Sequence, residues 1–388
     1  MNQRALSAGL AVSALVLLAG CGDFWGAGQD PSRAGPFLGE LPAVGGNGNG
    51  GSNVGVSGSG QGCEVPPCPG SGGSGPGSGG SGQVGSVLAS NLGNNVNDIA
   101  LDDEFVYFTT NQGLARVSKE GGQPEPLGGF IGVNGLAVTL GYVYLVENSG
   151  AVTRVFAGGG EPETIVPATF GGGSGAIVVD DKNLFYLVGP YLRRALLEGG
   201  TASDLTSDVF QGGVSAHRLA SDGLFAYYVA SPMNGGSGSQ LRKIAKDAPG
   251  GMSQPHSSAG TLVAEAKGVI PVVTSDGQSV YFADVGSDGL RARLEIRKVT
   301  SGVDQSTQLI ATWTPSGSNN NPGGGGDMVT DGDNIYFGGS GGIFKVSVEG
   351  GEIETIDEQA MTNAIAVDER YLFWADQNQN GALRRLEK

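Results

Sequence analysis

One ten-residue pattern recurs seven times between Ile99 and Trp374, and no other feature of the chain limits its fold as strongly. The copies are IALDDEFVYF from Ile99, LAVTLGYVYL from Leu136, IVVDDKNLFY from Ile177, LASDGLFAYY from Leu219, VTSDGQSVYF from Val273, MVTDGDNIYF from Met328 and IAVDERYLFW from Ile365. Their fourth positions are Asp102, Thr139, Asp180, Asp222, Asp276, Asp331 and Asp368, separated by 37, 41, 42, 54, 55 and 37 residues. An Asp and turn-forming residues between two apolar runs predict two short strands joined by a tight turn, because the Asp carboxylate bonds the backbone of its own turn.

Each copy is followed by an alternation of apolar and basic residues in which Arg116, Arg154, Arg194, Lys243, Lys298, Lys345 and Arg385 each precede Val, Ala, Ile or Leu. Most of these segments run into a Gly-Gly turn and a further apolar stretch, such as Glu163-Thr164-Ile165-Val166. The unit therefore reads as four short strands with no amphipathic helix, and repeats of about 40 residues with four strands each predict propeller blades. The last unit reaches Lys388 after only three strands, while Ser86-Val87-Leu88-Ala89-Ser90 stands alone before the first unit. The expected fold is an all-β, seven-bladed β-propeller over residues 86–388, closed by a strand swapped in from the N-terminal end, which leaves no broken ring with an open edge.

The N-terminus has a different character. Met1 to Arg4 supplies one positive charge, Leu6 to Leu18 is a run of apolar and small residues, and Leu18-Ala19-Gly20-Cys21 follows. The run is shorter than the roughly 20 residues that cross a membrane, so residues 1–20 read as a signal peptide. The tetrad resembles the bacterial lipobox, which implies cleavage before Cys21, a diacylglycerol on its sulfur and an acyl chain on its amine. Two or three acyl chains anchor a protein stably, whereas one does not. Gly22, where an Asp retains enteric lipoproteins in the inner membrane, points to the outer membrane.

Between Gly22 and Gly85, 23 of 64 residues are glycine, so residues 21–85 are expected to be a disordered Gly/Ser/Pro-rich tether behind the lipidated Cys21. As a flexible coil such a tether spans roughly 45 Å. Cys63 and Cys68 form an even pair there, either a local disulfide or two idle thiols, and they lack the further ligands a zinc site needs.

The Asp turn, the aromatic pair and the basic, apolar, Gly-Gly run resemble the bacterial propeller lipoproteins of myxobacteria and their relatives. They are more distantly similar to the YWTD propellers of the LDL-receptor family, through Phe373-Trp374-Ala375-Asp376 and Tyr281-Phe282-Ala283-Asp284. The other five units lack the final Asp, and YWTD rings have six blades, so the resemblance implies a propeller and no particular ligand.

Signals for catalysis are sparse. The body contains two histidines, His217 and His256, and no cysteine, no Gly-x-Ser-x-Gly elbow sits between a strand and a helix, and the phosphate-loop lookalikes of the glycine-rich tether lack a preceding strand and a following helix. Asp331-Gly332-Asp333-Asn334 has the oxygen density of a calcium loop but is also what a tight Asp-Gly turn requires. A net charge of −16, or −17 once Arg4 leaves with the signal, argues against nucleic acid as a partner and against adsorption to anionic lipid. Membrane contact is then expected only through the Cys21 lipid.

The reading that follows is a non-enzymatic binding or scaffold lipoprotein that holds a protein or glycan of the cell envelope. The alternative is an enzyme analogous to the seven-bladed streptogramin lyases, which use a histidine and a metal on one face. Here His217 alone could take that part, with no carboxylate partner assignable from sequence.

Residues five before each turn position, Asn97, Asn134, Gly175, His217, Pro271, Gly326 and Asn363, should start the inner strands and look into the central funnel. Asn97, Asn134, His217 and Asn363 are the candidate binding residues, although Asn is also favoured in strand-initiating turns. Extra length at Ser231 to Gln240, Asp284 to Arg293 and Thr314 to Gly326 lies on the same face. Trp313, beside the longest of these loops, is a candidate contact anchor or a packing residue.

Overall fold

The computed structural model describes residues 85–388 apart from Asn94, Ile131, 169–174, 211–216, 232–237, 251–259, 288–291, 302–305, 315–325, Ser340 and Gln379. Cys21, Cys63 and Cys68, the lipobox and the tether lie outside the described residues, as do the tips of the three long loops.

The body is a seven-bladed β-propeller of seven four-stranded antiparallel sheets. The inner strands of blades 1 to 7 are Val96–Leu101, Val133–Thr139, Ile177–Val179, Leu219–Ser221, Val273–Ser275, Met328–Thr330 and Ile365–Val367. Each pairs with the aromatic-rich second strand, which pairs with the basic third strand and then the outer strand. In blade 7 the outer strand is Ser86–Ser90, which pairs with Ala382–Glu387 from Ser86 opposite Arg385 to Ser90 opposite Ala382. The ring is therefore closed by strands from both ends of the body, as the repeat count required.

Each second strand is buried on both faces because it is sandwiched between two neighbouring blades, and this explains the paired aromatics. The core divides into seven clusters, one at each blade junction. Tyr107 packs towards blade 2 with Leu145, whereas the adjacent Phe108 packs towards blade 7 with Phe373. Successive side chains of a strand point to opposite faces, so two consecutive large residues fill two junctions. At roughly 1.5–3 kcal/mol per fully buried large side chain, these pairs are the main source of cohesion between blades.

The turn aspartates cap their own turns. Asp222 Oδ1 accepts the amides of Leu224 and Phe225 at 2.7 Å each, while Oδ2 accepts the Tyr227 hydroxyl at 2.6 Å. Asp102, Asp276 and Asp331 repeat the arrangement with Tyr107, Tyr281 and Tyr336. Where the first aromatic is Phe185 or Phe373 and has no hydroxyl, a lysine of the next blade approaches the second oxygen: Lys246 at 3.4 Å from Asp180 and Lys119 at 2.6 Å from Asp368.

The third-strand arginines join blades in the same way. Arg116, Arg154 and Arg194 donate to the Ala157, Leu197 and Lys246 carbonyls of the following blade at 2.7, 2.9 and 2.5 Å, and Arg385 of blade 7 donates to the Lys119 carbonyl of blade 1. Blade 5 departs from its sisters: its second and third strands, Ser279–Ser287 and Ala292–Thr300, have nine residues each and project further on the funnel face. Their base is fixed where Asp284 accepts the amides of Lys267 and Gly268 at 3.1 and 3.0 Å.

Candidate functional site

The inner strands begin on the face that also carries the loops between second and third strands. In blades 1 and 2 the inner strand starts one residue earlier than the repeat predicts, and in blades 3 to 7 two residues later, so Gly175, His217, Pro271, Gly326 and Asn363 precede their strands. Asn97 and Asn134 fall at register skips, between Val96 and Asp98 and between Val133 and Gly135, so each is the extra residue of a β-bulge. A bulge re-aims side chains at a strand end.

His217 lies in the turn before Leu219 of blade 4, with its carbonyl accepting the Val273 amide of blade 5 at 2.8 Å. Its Nδ1 is 3.0 Å from Asp327 Oδ1 of blade 6 and its Nε2 is 3.0 Å from the Asn363 carbonyl of blade 7. A side chain of blade 4 can meet blades 6 and 7 only by crossing the funnel, so His217 bridges it.

Asp327 and Asp98 are matched residues, each four before its turn aspartate. Asp327 accepts the Met328 amide at 2.7 Å through Oδ1 and the Ile365 amide of blade 7 at 2.8 Å through Oδ2. Asp98 accepts the Ile99 amide through Oδ1 and the Leu136 amide of blade 2 through Oδ2, both at 2.8 Å. Each carboxylate thus joins two inner strands across a blade junction.

Both are buried, and the electrostatics follow. Burial pushes Asp98 up to about 7, opposed by the His217 charge and reinforced by Asp327. Burial alone would lower His217, but Asp327 beside it and Asp98 further off carry it up to about 9. At neutral pH the imidazole is therefore a cation that donates from both ring nitrogens, one to a carboxylate and one to a carbonyl. With no ring lone pair exposed, it is neither a ready metal ligand nor a general base.

Blade 7 extends the polar floor. Asn363 Oδ1 accepts Gln377 Nε2 at 2.6 Å, and Gln377 Nε2 also reaches the Val96 carbonyl of blade 1 at 2.8 Å. Gln377 Oε1 is buried and has no hydrogen-bond partner among the described residues. Arg218, buried next to His217, sets its guanidinium 5.1 Å from the Phe210 ring centroid.

Of the residues named from sequence, the structure brings His217 and Asn363 into direct contact and puts the Asn97 backbone on the same rim. Asn134 occupies the matching backbone position in blade 2. Trp313 ends the outer strand of blade 5, its ring 4.9 Å from Phe344 in the junction of blades 5 and 6. Among the described residues no three His, Cys, Asp or Glu side chains converge to hold a metal ion.

Asp98, Asp327 and Gln377 were missed from sequence. The register contained a signal for the first two. Four residues before the turn position the units carry Asp98, Gly135, Ala176, Arg218, Val272, Asp327 and Ala364, and charge at such a position is the exception. A groove of about 1260 Å³ lies elsewhere, on the outer wall between the closing strand and blade 1, bordered by Leu88, Phe108 and Leu114. It contains none of the charged groups of the funnel.

No protein-family model matches the sequence, and no curated protein matches it. Solved structures do resemble the body. The extracellular domain of the putative one component system BT4673 from B. thetaiotaomicron aligns at 12% identity and a TM-score of 0.54, over 79% of this chain and 40% of that one. YCF48 bound to D1 peptide aligns at 12% identity and 0.52, over 78% and 96% of the two chains. The WD40 β-propeller domain of Doa1 aligns at 11% and 0.52, over 79% and 97%. At these identities the likeness establishes the propeller fold alone.

Proposed function

We propose that the chain is a non-enzymatic binding module of the bacterial cell envelope, a propeller lipoprotein anchored through acylated Cys21, in the outer membrane, that holds a protein partner on its funnel face. The observation that carries this reading is the state of His217. Its two nitrogens are committed to Asp327 and Asn363, which makes it a structural bridge and disfavours the lyase alternative built on the same histidine. The amides of Asn97, Asn363 and Gln377 around that bridge can give and accept hydrogen bonds with a peptide backbone or polar side chains. A ring of similar fold, YCF48, has been solved with a peptide bound, which supports a protein as the partner class.

The test is capture from solubilised envelope by the acylated full chain, comparing wild type with Asn97→Ala/Asn363→Ala/Gln377→Ala. Loss of a specific captured protein is expected from a ring that still unfolds in one cooperative transition, lowered only by the few degrees that the Gln377 bonds to Val96 and Asn363 contribute. Capture indifferent to the triple substitution overturns the funnel reading, and displacement by soluble glycan but not by peptide reassigns the partner to carbohydrate.

A further inference from the structure

The sevenfold repeat supplies an internal control for every surface position. The turns between first and second strands and those between third and outer strands open on the face opposite His217. On that face three matched positions carry a large apolar side chain only in blades 2, 3 and 4.

Leu140 is 70% exposed where sister turns carry Asp103, Asp181, Glu369 or glycine. Phe156 and Leu196, each 54% exposed, end third strands whose sisters end in Ser118, Ala245, Thr300, Ser347 or Glu387. Leu224 is 71% exposed where others carry Glu104, Lys182, Gln278, Asp333 or Arg370. Leu140 also has a φ of 51°, a left-handed conformation uncommon for a branched side chain. Phe156 rests edge-on against Tyr142 at 5.8 Å between ring centroids. Half of the eight large hydrophobics exposed among the described residues lie on this arc, and none of the described residues covers them.

The direction of the closing strand indicates what does. Outer strands run away from this face, and Ser86–Ser90 obeys the rule, with Ser86 beside Arg385 at the end of the third strand. The chain before Ser86 therefore joins the body on the face that bears the apolar arc. If that chain ends in a lipid at Cys21, about 45 Å of tether keeps the arc at high effective concentration over the bilayer, so that a contact too weak to form in free solution becomes occupied. The net charge of −16, and exposed Asp181 and Glu198 beside the arc, restrict the surface to lipid without net charge.

We propose that Leu140, Phe156, Leu196 and Leu224 seat blades 2 to 4 on the headgroup layer of a zwitterionic membrane, an assignment that rests on the acylation reading. The ring then tilts onto this arc and turns its funnel away from the lipid.

The test uses the complete mature chain carrying Cys21→Ser and made without lipid, floated with phosphatidylcholine vesicles at millimolar lipid. Weak co-flotation is expected, falling at least about tenfold when all four residues are replaced by Ser, since each apolar group withdrawn from water contributes to partitioning. Adding anionic lipid should reduce it. Absence of flotation, or flotation equal in both proteins at equal melting temperature, overturns the proposal. Self-association in sedimentation that the four substitutions abolish, without flotation, assigns the arc to a second copy of the chain instead. The mass of cell-derived protein tests acylation independently, so failure at Cys21 is distinguishable from failure of the arc.

Discussion

Replacing His217 by Ala removes the one cation between two buried carboxylates and leaves Asp327 and Asp98 uncompensated. Breaking a buried ion pair from one side costs about 3–5 kcal/mol, because the surviving charge stays desolvated. For a domain of this size, unfolding entropy of about 2 cal/mol/K per residue converts that loss into a melting temperature lower by roughly 5–8 °C. The double variant His217→Ala/Asp327→Asn should recover at least half of it, since the amide keeps an acceptor for one backbone N–H while removing the charge. Scanning calorimetry on wild type, both single variants and the double variant yields the coupling directly. A single-variant shift below about 1 °C, or a double variant no better than His217→Ala, would refute a charged bridge. Imidazole NMR gives a second reading. The chain has only two histidines, and His256→Gln leaves His217 as the sole signal, which should titrate near pH 9.

Three further outcomes follow from the fold and the sequence. Deleting Ser86 to Ser90 opens the seam between blades 7 and 1 and strips cover from Leu383, so the whole ring should melt at a lower temperature, and an unchanged transition counts against strand-swapped closure. Asp222→Ala removes the acceptor for two amides and for the Tyr227 and Ser301 hydroxyls, and should cost about 2–4 kcal/mol in urea titration, where a loss below about 0.5 kcal/mol contradicts the capping role. Cys21→Ser in cells should give uncut precursor or released protein, and detergent partitioning equal to wild type would remove the lipid anchor.

The parts of the fold that sequence made legible are those that repeat. Seven Asp or Thr turns and seven large apolar pairs, six of them fully aromatic and the other Tyr144-Leu145, report a local requirement met again in every blade, and the orphan strand at Ser86 completes the count, so period, blade count and closure could be read together. The funnel site lacks that redundancy. Asp98, His217, Asp327 and Gln377 come from four blades, only the two aspartates share a repeat position, all lie more than 40 residues from one another along the chain, and their meeting depends on ring closure and not on local pattern. The bulges at Asn97 and Asn134 shift the strand start by one residue, a change that hydrophobic alternation does not encode. His217 was visible as the one ionisable residue at a register that also carries Asn97, Asn134 and Asn363. That it would be held as a cation depended on two acids whose partnership only the folded ring creates.

That partnership predicts an unusual pH response. Asp98 has a folded pKa of about 7 against an ordinary 3.8, so its stabilising effect is complete below the ordinary value and is lost as pH rises through 7. His217 has a folded pKa of about 9 against 6.5, so its contribution is full below 6.5 and is lost as pH rises through 9. Both groups therefore weaken the ring with increasing pH, first between about 4 and 7 and then between about 6.5 and 9. At about 1.4 kcal/mol per pH unit, the two arms are worth at most about 4 and 3 kcal/mol. The turn acids act in the opposite sense at the acid end. Asp180, Asp222, Asp331 and Asp368 are lowered by the amides, hydroxyls and lysines that bind them, so their contribution is present above the ordinary carboxylate value and is lost as pH falls below it. Stability should peak near pH 5 and decline steadily to pH 9. Melting temperatures at pH 5, 7 and 9 check this, with Asp98→Asn expected to flatten the first interval and His217→Gln the second. A wild-type ring that gains stability from pH 5 to 7, or an Asp98→Asn variant with the wild-type slope, would show that these buried groups do not titrate as the geometry requires.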